Sequence, residues 1–307
     1  MKKYLNCKLC PRRCGVNRSE KNGFCGETEK LHVARASLHM WEEPPISGKN
    51  GSGTVFFSGC NLGCVFCQNH EIAHEHKGKE ISPEQLAEIF LTLQKMGAAN
   101  INLVTAVHFI PHVIRALDLA KENGLSIPTV YNSSGYESEE TLRLLRGYID
   151  VYLPDYKYRS HLLAERFSRA KDYPEIAECA LREMVLQTGP CVFDENGMIK
   201  KGVIVRHLVL PAHTDDSMAV LEYLYKTYGD SIYISIMNQY TPMRKYEAYP
   251  ELSRKLTSYE YGKVIKFAEK LGIKNGFLQS GETAKESFIP SFDLASDTLI
   301  VKEAKFR

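Results

Sequence analysis

Six short apolar runs, rich in Val, Ile, Tyr and Phe, alternate with helical segments along this chain. Continuous runs of this kind are typical of strands that are covered on both faces, as in a parallel sheet. They occupy residues 53–59, 100–105, 127–132, 148–154, 202–211 and 231–237. The alternation predicts an α/β fold whose parallel sheet is either curled into an incomplete barrel or doubly wound.

The segments between the runs carry the signals of amphipathic helices. One begins after Ser82, a predicted N-cap, with Pro83 at the first helical position. Its apolar residues recur at helical spacing: Leu86, Ile89, Phe90 and Leu93. Two similar patterns end at Gly124 and Gly272. The sequence FDENG at 193–197 predicts a hairpin tip that interrupts the alternation.

The first 50 residues differ from the rest of the chain. They are rich in cysteine, arginine and glycine and show no clear hydrophobic period. We therefore expect a Cys-rich N-terminal extension at 1–50. The core is then expected at 51–307 and consists of the barrel and a C-terminal segment.

Composition excludes several classes of function. The 307 residues include 39 Lys and Arg against 37 Asp and Glu, a balance that favours neither nucleic acid nor a membrane surface as partner. No apolar stretch is long enough to span a bilayer, and no secretory signal follows the first lysines. We expect a cytoplasmic protein. In that compartment nine cysteines favour metal or redox chemistry over disulfides.

Three cysteines, Cys60, Cys64 and Cys67, lie in the loop directly after the first predicted strand. In parallel α/β folds the active site lies at the carboxyl ends of the strands. Three thiolates on a tight loop provide three corners of a metal site or cluster, and leave one position open to another ligand. Unrelated buried thiols are one alternative. The other is a zinc site completed by a nearby histidine, with three candidates: His70, His74 and His76.

The loop sequence GCNLGCVFCQN at 59–69 resembles the C-x3-C-x-aromatic-C signature of radical S-adenosylmethionine enzymes. The chain around it is similar to the branch that contains pyruvate formate-lyase activating enzymes and their relatives. The resemblance includes CKLCPRRCGVNR and GFCG within 7–26, PPISG and SGTVFFSGC within 44–60, and FCQNHEIA at 66–73. It extends from Cys7 to about Tyr240 and implies a partial (β/α)6 barrel of the TIM type.

This resemblance implies that Cys60, Cys64 and Cys67 are the catalytic residues and bind a 4Fe–4S cluster. The amino and carboxylate groups of S-adenosylmethionine (SAM) would chelate the fourth iron, which explains the missing fourth cysteine. One electron then cleaves SAM into methionine and a 5′-deoxyadenosyl radical, which abstracts hydrogen from substrate. The electron donor would be a reductant such as flavodoxin or ferredoxin.

The family also implies contacts to SAM from the ends of the strands. Thr105 and His108 occupy the place of the family's Gly-Gly-Glu-like run, from which this chain departs. The turn YNSSG at 131–135 is similar to a polar family turn, and its three candidate contacts are Asn132, Ser133 and Ser134. Each of these residues also has a structural interpretation, as a helix-entry residue, a core histidine or a turn former.

Two further strand ends carry charged candidates. Asp155 and Lys157 share one side of an extended segment and either face the site or form a structural ion pair. Arg206 is a candidate for a bidentate contact to the SAM carboxylate. Alternation along that strand does not decide whether Arg206 or His207 faces inward, and the resemblance favours Arg206.

A second group of cysteines lies near the N-terminus: Cys7, Cys10, Cys14 and Cys25. Four thiols within nineteen residues are typical of a closed four-cysteine site that holds zinc or a second iron–sulfur cluster. A thiol-rich segment that packs without metal is the alternative. Cys179 and Cys191 are interpreted as ordinary free thiols.

The sequence predicts a radical SAM enzyme and leaves its substrate open. One hypothesis is an activase that generates a glycyl radical on a partner protein, and the other is radical modification of a small molecule or cofactor. A hypothesis from another class is an iron–sulfur or zinc sensor or interaction protein without turnover. The polar residues expected around the cleft argue against that last hypothesis, because a sensor does not need them.

Overall fold

The computed structural model describes residues 2–279 and has one extended sheet. Seven of its strands are parallel to their neighbours in this array: β2 (Ser52–Phe57), β4 (Ile101–Val104), β5 (Thr129–Ser133), β6 (Val151–Pro154), β8 (Ile199–Leu208), β9 (Tyr233–Met237) and β10 (Gly276–Leu278). The order along the sheet is β10-β9-β8-β6-β5-β4-β2-β1-β3. Within 2–279 the path is open, with β10 and β3 at its two ends. The α/β prediction and its six strands are confirmed, and β10 is an addition.

Three short antiparallel pairings extend this array. β1 (His32–His39) pairs with β2, and β3 (Lys79–Glu80) pairs with β1. β7 (Val192–Phe193) pairs with β8, which confirms the predicted hairpin at FDENG. Because β1 comes from the first 50 residues, part of the predicted extension continues the sheet. The boundary at residue 50 stays a prediction, and residues 280–307 of the predicted C-terminal segment lie outside the described residues.

Nine α-helices connect the strands within the described part of the chain: α1 (Pro44–Ser47), α2 (His70–Ala73), α3 (Pro83–Lys95), α4 (Ile110–Glu122), α5 (Glu139–Leu144), α6 (His161–Ser168), α7 (Tyr173–Thr188), α8 (Thr214–Tyr228) and α9 (Ser258–Leu271). α3 begins with the predicted cap, since the Ser82 hydroxyl accepts from the Gln85 amide at 3.2 Å. α9 ends at Gly272 in the left-handed conformation, as predicted. Helix lengths and caps therefore follow local signals.

The two faces of the sheet are buried in different ways. Tyr131 and Tyr152 belong to a large apolar cluster with residues of α3, α4, α7 and α8. Alternate residues of the same strands, such as Val130 and Val151, belong to a small cluster that includes Ile46 of α1. Successive side chains of a strand point to opposite faces, so the long helices cover one face. The other face is left for α1 and a cavity, as in a barrel interior.

Alternation also decides which face of β8 is the inner one. Val203 and Val205 pack in the large helical cluster, whereas Ile204 packs with the small inner cluster. Arg206 has the parity of Ile204 and therefore points inward. No helix within residues 2–279 is long and apolar enough to cross a membrane.

Candidate active site

A cavity of about 570 Å³ lies on the inner face of the sheet. The end of almost every parallel strand contributes to its wall. Most of the residues that the sequence predicted as site residues line it: Cys60, Cys64, Cys67, Thr105, Asn132, Ser133, Ser134, Asp155, Lys157 and Arg206. The structure thus brings the three cysteines and the polar strand ends together at one cavity, which is the arrangement expected for a parallel sheet.

The loop that carries the three cysteines is shaped by close backbone contacts. Gly59 has φ +78°, and a Cβ there would lie 2.5 Å from Cγ of Glu27 and 2.7 Å from the carbonyl oxygen of Cys25. The Gly63 amide donates to the Ser168 carbonyl, and the Val65 amide to the Phe167 carbonyl, at 3.3 and 2.9 Å. Only glycine fits at position 59, so the first cysteine can follow β2 directly.

The thiols themselves lie in a low-polarity environment. Burial raises the pKa of Cys60 above its usual value and that of Cys67 to about 12. Cys64 Sγ lies 3.0 Å from Oγ of Ser168, and the Leu62 amide donates to Cys60 Sγ at 3.4 Å. Thiolates in such a place need nearby positive charge, which a metal centre supplies. The donor set therefore fits an iron–sulfur cluster.

Aromatic side chains close one side of this loop. Phe66, which precedes Cys67, is 7% exposed and packs edge-on against Phe167 and Tyr240. Leu62 is 2% exposed. These contacts keep water away from the side of the loop that faces the core.

The opposite wall is a network of charged and polar side chains centred on Arg206. Its Nε donates to Asp155 at 3.1 Å, its Nη1 to Glu42 at 3.1 Å, and its Nη2 to the Asn132 Oδ1 at 2.6 Å. Lys157 Nζ donates to the second oxygen of Asp155 at 2.7 Å. Arg206 therefore faces the cavity as expected, while all three of its nitrogens are held by protein acceptors. The bidentate contact to SAM stays a prediction.

Burial and ion pairing set the charges of this network. Burial disfavours the charged form of Asp155, but Lys157 and Arg206 outweigh it and hold its pKa below the usual value. Burial likewise opposes the charge of Lys157, and Asp155 together with Cys64 raises its pKa. For Glu42 and Glu43 burial dominates and raises the pKa of each carboxyl despite the nearby Arg206. A charged Asp155–Lys157 pair therefore faces the cysteine loop.

The turn after β5 holds a second, more protected carboxyl group. Ser133 donates through its hydroxyl to Glu137 at 3.0 Å, and Tyr173 donates to the Ser134 carbonyl at 2.8 Å. Glu137 is 2% exposed, and burial raises its pKa to about 8. Gly135 has φ +76°, and a Cβ there would lie 2.1 Å from the Asp155 carbonyl. These contacts fix the turn that presents Ser133 and Ser134 to the cavity.

Thr105 and His108, the two candidates after β4, are separated by the structure. Thr105 lines the cavity with φ +60°, and its amide donates to the Asn132 carbonyl at 3.0 Å. The left-handed region is unfavourable for a β-branched residue such as threonine. His108 does not line the cavity. It is 1% exposed, and its Nε2 lies 2.6 Å from the Ser58 carbonyl, on the side of the N-terminal segment.

The other histidines predicted as possible ligands lie outside the cavity lining. The His70 and His74 rings are 5.0 Å apart on α2, and His76 Nδ1 lies 3.2 Å from Glu27 Oε1. His207 is 2% exposed and bonds the Tyr156 carbonyl at 2.7 Å. Among residues 2–279, no three or more His, Cys, Asp or Glu side chains are close enough to hold a single metal ion. This applies equally to both groups of cysteines.

The N-terminal cysteines form a group beside the cysteine loop and outside the cavity lining. Cys7, Cys10 and Cys25 are buried, and Cys14 is exposed. The Cys60 amide donates to the Cys25 carbonyl at 3.3 Å, so the two groups of cysteines are joined through the backbone. Whether this group binds metal stays a prediction.

Sequence reasoning missed Glu42 and Glu43, which lie between β1 and α1 and line the cavity. Asn102 joins them, since its Nδ2 donates to Glu42 at 3.0 Å. The available signal is a pair of acidic residues directly before Pro44 and Pro45. That pattern indicates a turn, and its place inside the barrel follows only from the antiparallel pairing of β1 with β2.

Comparison with known proteins gives the class of this protein. The model of the Radical SAM superfamily matches residues 54–183. A protein of Methanocaldococcus jannaschii, uncharacterized protein MJ0674, is 34% identical over 278 residues, which cover 88% of this chain and 76% of that protein. The chain belongs to the radical SAM superfamily. Members of that family use a 4Fe–4S cluster and SAM, and both are therefore the cofactors implied for this protein.

Three solved structures are similar to this chain over part of their length. SuiB of Streptococcus suis bound to precursor peptide SuiA has a TM-score of 0.48, with 10% identity over 73% of this chain and 47% of SuiB. Methylornithine synthase (PylB) has a TM-score of 0.48, with 13% identity over 71% of this chain and 68% of PylB. The FeFe-hydrogenase maturase HydG of Carboxydothermus hydrogenoformans has a TM-score of 0.47, with 12% identity over 75% of this chain and 54% of HydG. The chain thus spans about half the length of SuiB and HydG.

Proposed function

We propose that this radical SAM enzyme holds its 4Fe–4S cluster on Cys60, Cys64 and Cys67 and binds the methionyl part of SAM at the neighbouring strand ends. The observation that carries the proposal is that the three thiols and the polar ends of four strands line one cavity. The cluster, when bound, supplies the electron for reductive cleavage of SAM. The side chains of this protein supply binding, orientation and exclusion of water.

The polar wall offers groups for both ends of the methionyl part. Asn132 Nδ2, the Ser134 hydroxyl and Lys157 Nζ are donors for a carboxylate, and Asp155 is an acceptor for an ammonium group. Asp155 is held in its charged form by Lys157 and Arg206. Charge-assisted hydrogen bonds of this kind orient a ligand more strongly than neutral ones do.

Arg206 acts as a positioning residue in this proposal. Its guanidinium connects Asn132 on β5, Asp155 after β6 and Glu42 before α1. A planar fork with fixed donors holds three such partners in one geometry, which lysine does not. The arrangement keeps Asn132 and Asp155 preorganised for the ligand.

For the substrate we propose a glycine-containing segment of a partner protein, so that the enzyme is an activase of the glycyl radical type. The resemblance of the cysteine-rich segments to the activase branch supports this proposal. The cavity is also open to the surface, because Trp41 and Leu278 line it and are 58% and 54% exposed. An opening with apolar rims suits an extended peptide.

Glu43 favours a second candidate, radical modification of a small molecule that carries a cationic group. Its carboxyl lines the cavity at 8% exposure. Among the described residues its Oε2 has no hydrogen-bond partner. A buried carboxylate oxygen without a partner is costly, and an ammonium or guanidinium group of a ligand would satisfy it.

Reconstitution with iron and sulfide under anaerobic conditions tests the proposed chemistry. After addition of dithionite and SAM, we expect methionine and 5′-deoxyadenosine, and no product formation overturns the proposal. A peptide with a central dideuterated glycine then tests the substrate. Transfer of deuterium into 5′-deoxyadenosine supports the activase. If peptides fail while a small deuterated amine transfers its label, the second candidate replaces it.

We further propose that flavodoxin or ferredoxin reduces the cluster in the cytoplasm. The support is chemical, since cleavage of SAM consumes one electron from a donor of low potential. Reduction of the reconstituted protein by photoreduced flavodoxin, followed by electron paramagnetic resonance, tests this step.

A further inference from the structure

The four N-terminal cysteines lie in a segment with its own tight backbone. The Cys7 amide donates to the Val16 carbonyl at 3.0 Å, and the Gly15 amide donates back to the Cys7 carbonyl at 3.0 Å. The Arg13 amide donates to the Cys10 carbonyl, also at 3.0 Å. Gly15 has φ +68°, which favours glycine. Backbone hydrogen bonds therefore fix the loop that carries Cys7, Cys10 and Cys14.

Two of the thiols lie close to one point of this loop. A Cβ placed on Gly23 would lie 3.3 Å from the Cys25 sulfur and 3.7 Å from the Cys14 sulfur. All four cysteines lie within nineteen residues of the chain. Three of them are buried, and Cys14 reaches the surface.

A buried cation lies beside these thiols. Arg18 is fully buried, and its Cδ would lie 3.7 Å from the same Cβ position on Gly23. Its guanidinium donates to three backbone carbonyl oxygens, those of Glu27, Thr28 and His108. It also lies over the rings of Tyr4 and Phe109, with 4.8 and 5.5 Å to the ring centroids. All these partners are uncharged.

An arginine buried among neutral groups is unfavourable unless negative charge lies near it. A centre bound by four cysteine thiolates carries net negative charge, and Arg18 adjoins the place where it would form. Two observations therefore point to the same ligand. The sulfurs of Cys14 and Cys25 lie near the same point, and the buried Arg18 places a positive charge beside them.

The position of this group indicates what its metal would do. Cys60, the first cysteine of the catalytic loop, donates its amide hydrogen to the carbonyl of Cys25 at 3.3 Å. Arg12, between Cys10 and Cys14, also donates to the Asn61 carbonyl at 2.9 Å. A single hydrogen bond thus connects a cysteine of one group to a cysteine of the other. Zinc has no redox chemistry and could not pass electrons across this contact.

We propose that Cys7, Cys10, Cys14 and Cys25 bind a second iron–sulfur cluster, which passes electrons to the catalytic cluster across the Cys25–Cys60 contact. This inference rests on the proposed function of Cys60, Cys64 and Cys67. One electron enters the second cluster from a low-potential one-electron protein donor and leaves it for the catalytic cluster. The second cluster returns to its starting state, and no atom is transferred. The exposed Cys14 marks the side on which the donor approaches.

Iron and sulfide content after anaerobic reconstitution tests the site itself. Two 4Fe–4S clusters give about eight irons per chain, and replacement of the four N-terminal cysteines by Ala leaves about four. The Cys60→Ala, Cys64→Ala, Cys67→Ala protein also retains about four, with a reduced-cluster resonance signal that SAM does not change. Cys179→Ala, a thiol on α7, keeps the wild-type content. Zinc in the N-terminal site, or no iron in the variant that lacks the catalytic cysteines, overturns the proposal.

The relay is tested by the ratio of 5′-deoxyadenosine formed with flavodoxin to that formed with dithionite, a small reductant that does not need the relay. We expect the ratio to fall at least tenfold in the protein without the N-terminal cysteines and to be unchanged in Cys179→Ala. An unchanged ratio in both proteins overturns the relay. If wild-type protein shows no response to SAM, the proposed function fails. The iron content of the variant without catalytic cysteines still tests the second cluster.

Discussion

Two arginines, Arg18 and Arg206, distinguish the two cysteine-bearing regions of this molecule. Arg206, on the cavity wall, donates to the carboxylates of Asp155 and Glu42 and to Asn132. Arg18, beside the N-terminal cysteines, donates to backbone carbonyls and faces two aromatic rings. The cavity region thus balances its own positive charge. The N-terminal region holds a positive charge whose partners in the protein are neutral.

Charged partners around Arg206 are typical of a wall that receives a ligand, whereas neutral partners around Arg18 are typical of a site that holds an anionic centre. In the cavity, charges are paired before any ligand arrives, so the wall keeps its shape when SAM enters or leaves. Beside Cys25, the hydrogen-bond and ring partners of Arg18 are neutral, and a thiolate-bound centre would place negative charge next to it. Each prediction below changes one side of this comparison.

The largest effect is expected from Arg206→Ala. The substitution leaves the partly buried carboxyl groups of Glu42 and Asp155 without their shared cation. Breaking a fully buried ion pair costs about 3–5 kcal/mol, and we expect a loss of about 3 kcal/mol here. Urea unfolding under anaerobic conditions measures the loss. A control is the double variant Glu42→Gln, Arg206→Met, which removes both charges and recovers part of the stability. Equal stability of Arg206→Ala and wild type would show that the network does not hold the wall together.

Glu137→Gln tests a buried carboxyl beside the turn that lines the cavity. Burial raises its folded pKa from 4.5 to about 8, so its contribution to stability is complete below about pH 4.5 and is lost as pH rises through about 8. Wild type should lose up to about 1.4 kcal/mol per pH unit in this window relative to the Gln variant. Unfolding free energies at pH 5 and pH 8 measure the difference. If the unfolding free energies of wild type and the Gln variant change equally with pH, the Glu137 carboxylate lies in a polar environment and the prediction is wrong.

Arg18→Met tests the other side of the comparison. We expect the metal-loaded protein to lose about 2 kcal/mol more than the metal-free protein, because only the loaded site presents negative charge to the guanidinium. Urea unfolding with and without prior chelation gives the two values. Arg115→Met, an exposed substitution on α4, is the control. The same loss in both states would mean that Arg18 serves its carbonyl partners alone.

The smallest effect concerns the backbone at Thr105. Its φ of +60° is unfavourable for a β-branched residue, and glycine adopts it freely. Thr105→Gly should therefore stabilise the protein by about 1 kcal/mol in thermal unfolding, provided that the amide bond to Asn132 is kept. Thr92→Gly, within α3, should instead destabilise the protein, because helix interiors disfavour glycine. Destabilisation by Thr105→Gly would indicate that the threonine side chain supports the turn.

Much of the fold follows from local patterns, and the cavity wall does not. The six strands, the cap at Ser82 and the hairpin at 193–197 are written in continuous apolar runs and turn residues, and the structure has each of them. Strand ends could be assigned to one edge because parallel strands share it. Glu42 could not be assigned to this edge from the sequence, since it follows β1, which is antiparallel to β2. His108 was predicted to line the cavity and does not, because sequence spacing does not give the direction of a helix-entry side chain.

The orientation of Arg206 is an intermediate case. Neither parity of β8 is purely apolar, so alternation left it open, and the packing of Val203 and Val205 with the helices decides it. The partners of Arg206 come from three separate segments of the chain. Long-range pairings of this kind depend on how the strands are arranged around the cavity and have no local signature.

One measurement tests the central claim, that the loop of Cys60, Cys64 and Cys67 holds the cluster to which SAM binds. The reconstituted protein is reduced with dithionite, and its electron paramagnetic resonance spectrum is recorded with and without SAM. SAM should change the spectrum of the wild type and of the protein without the four N-terminal cysteines, and should leave that of Cys60→Ala, Cys64→Ala, Cys67→Ala unchanged. A SAM-dependent change that persists in this last variant would contradict the assignment.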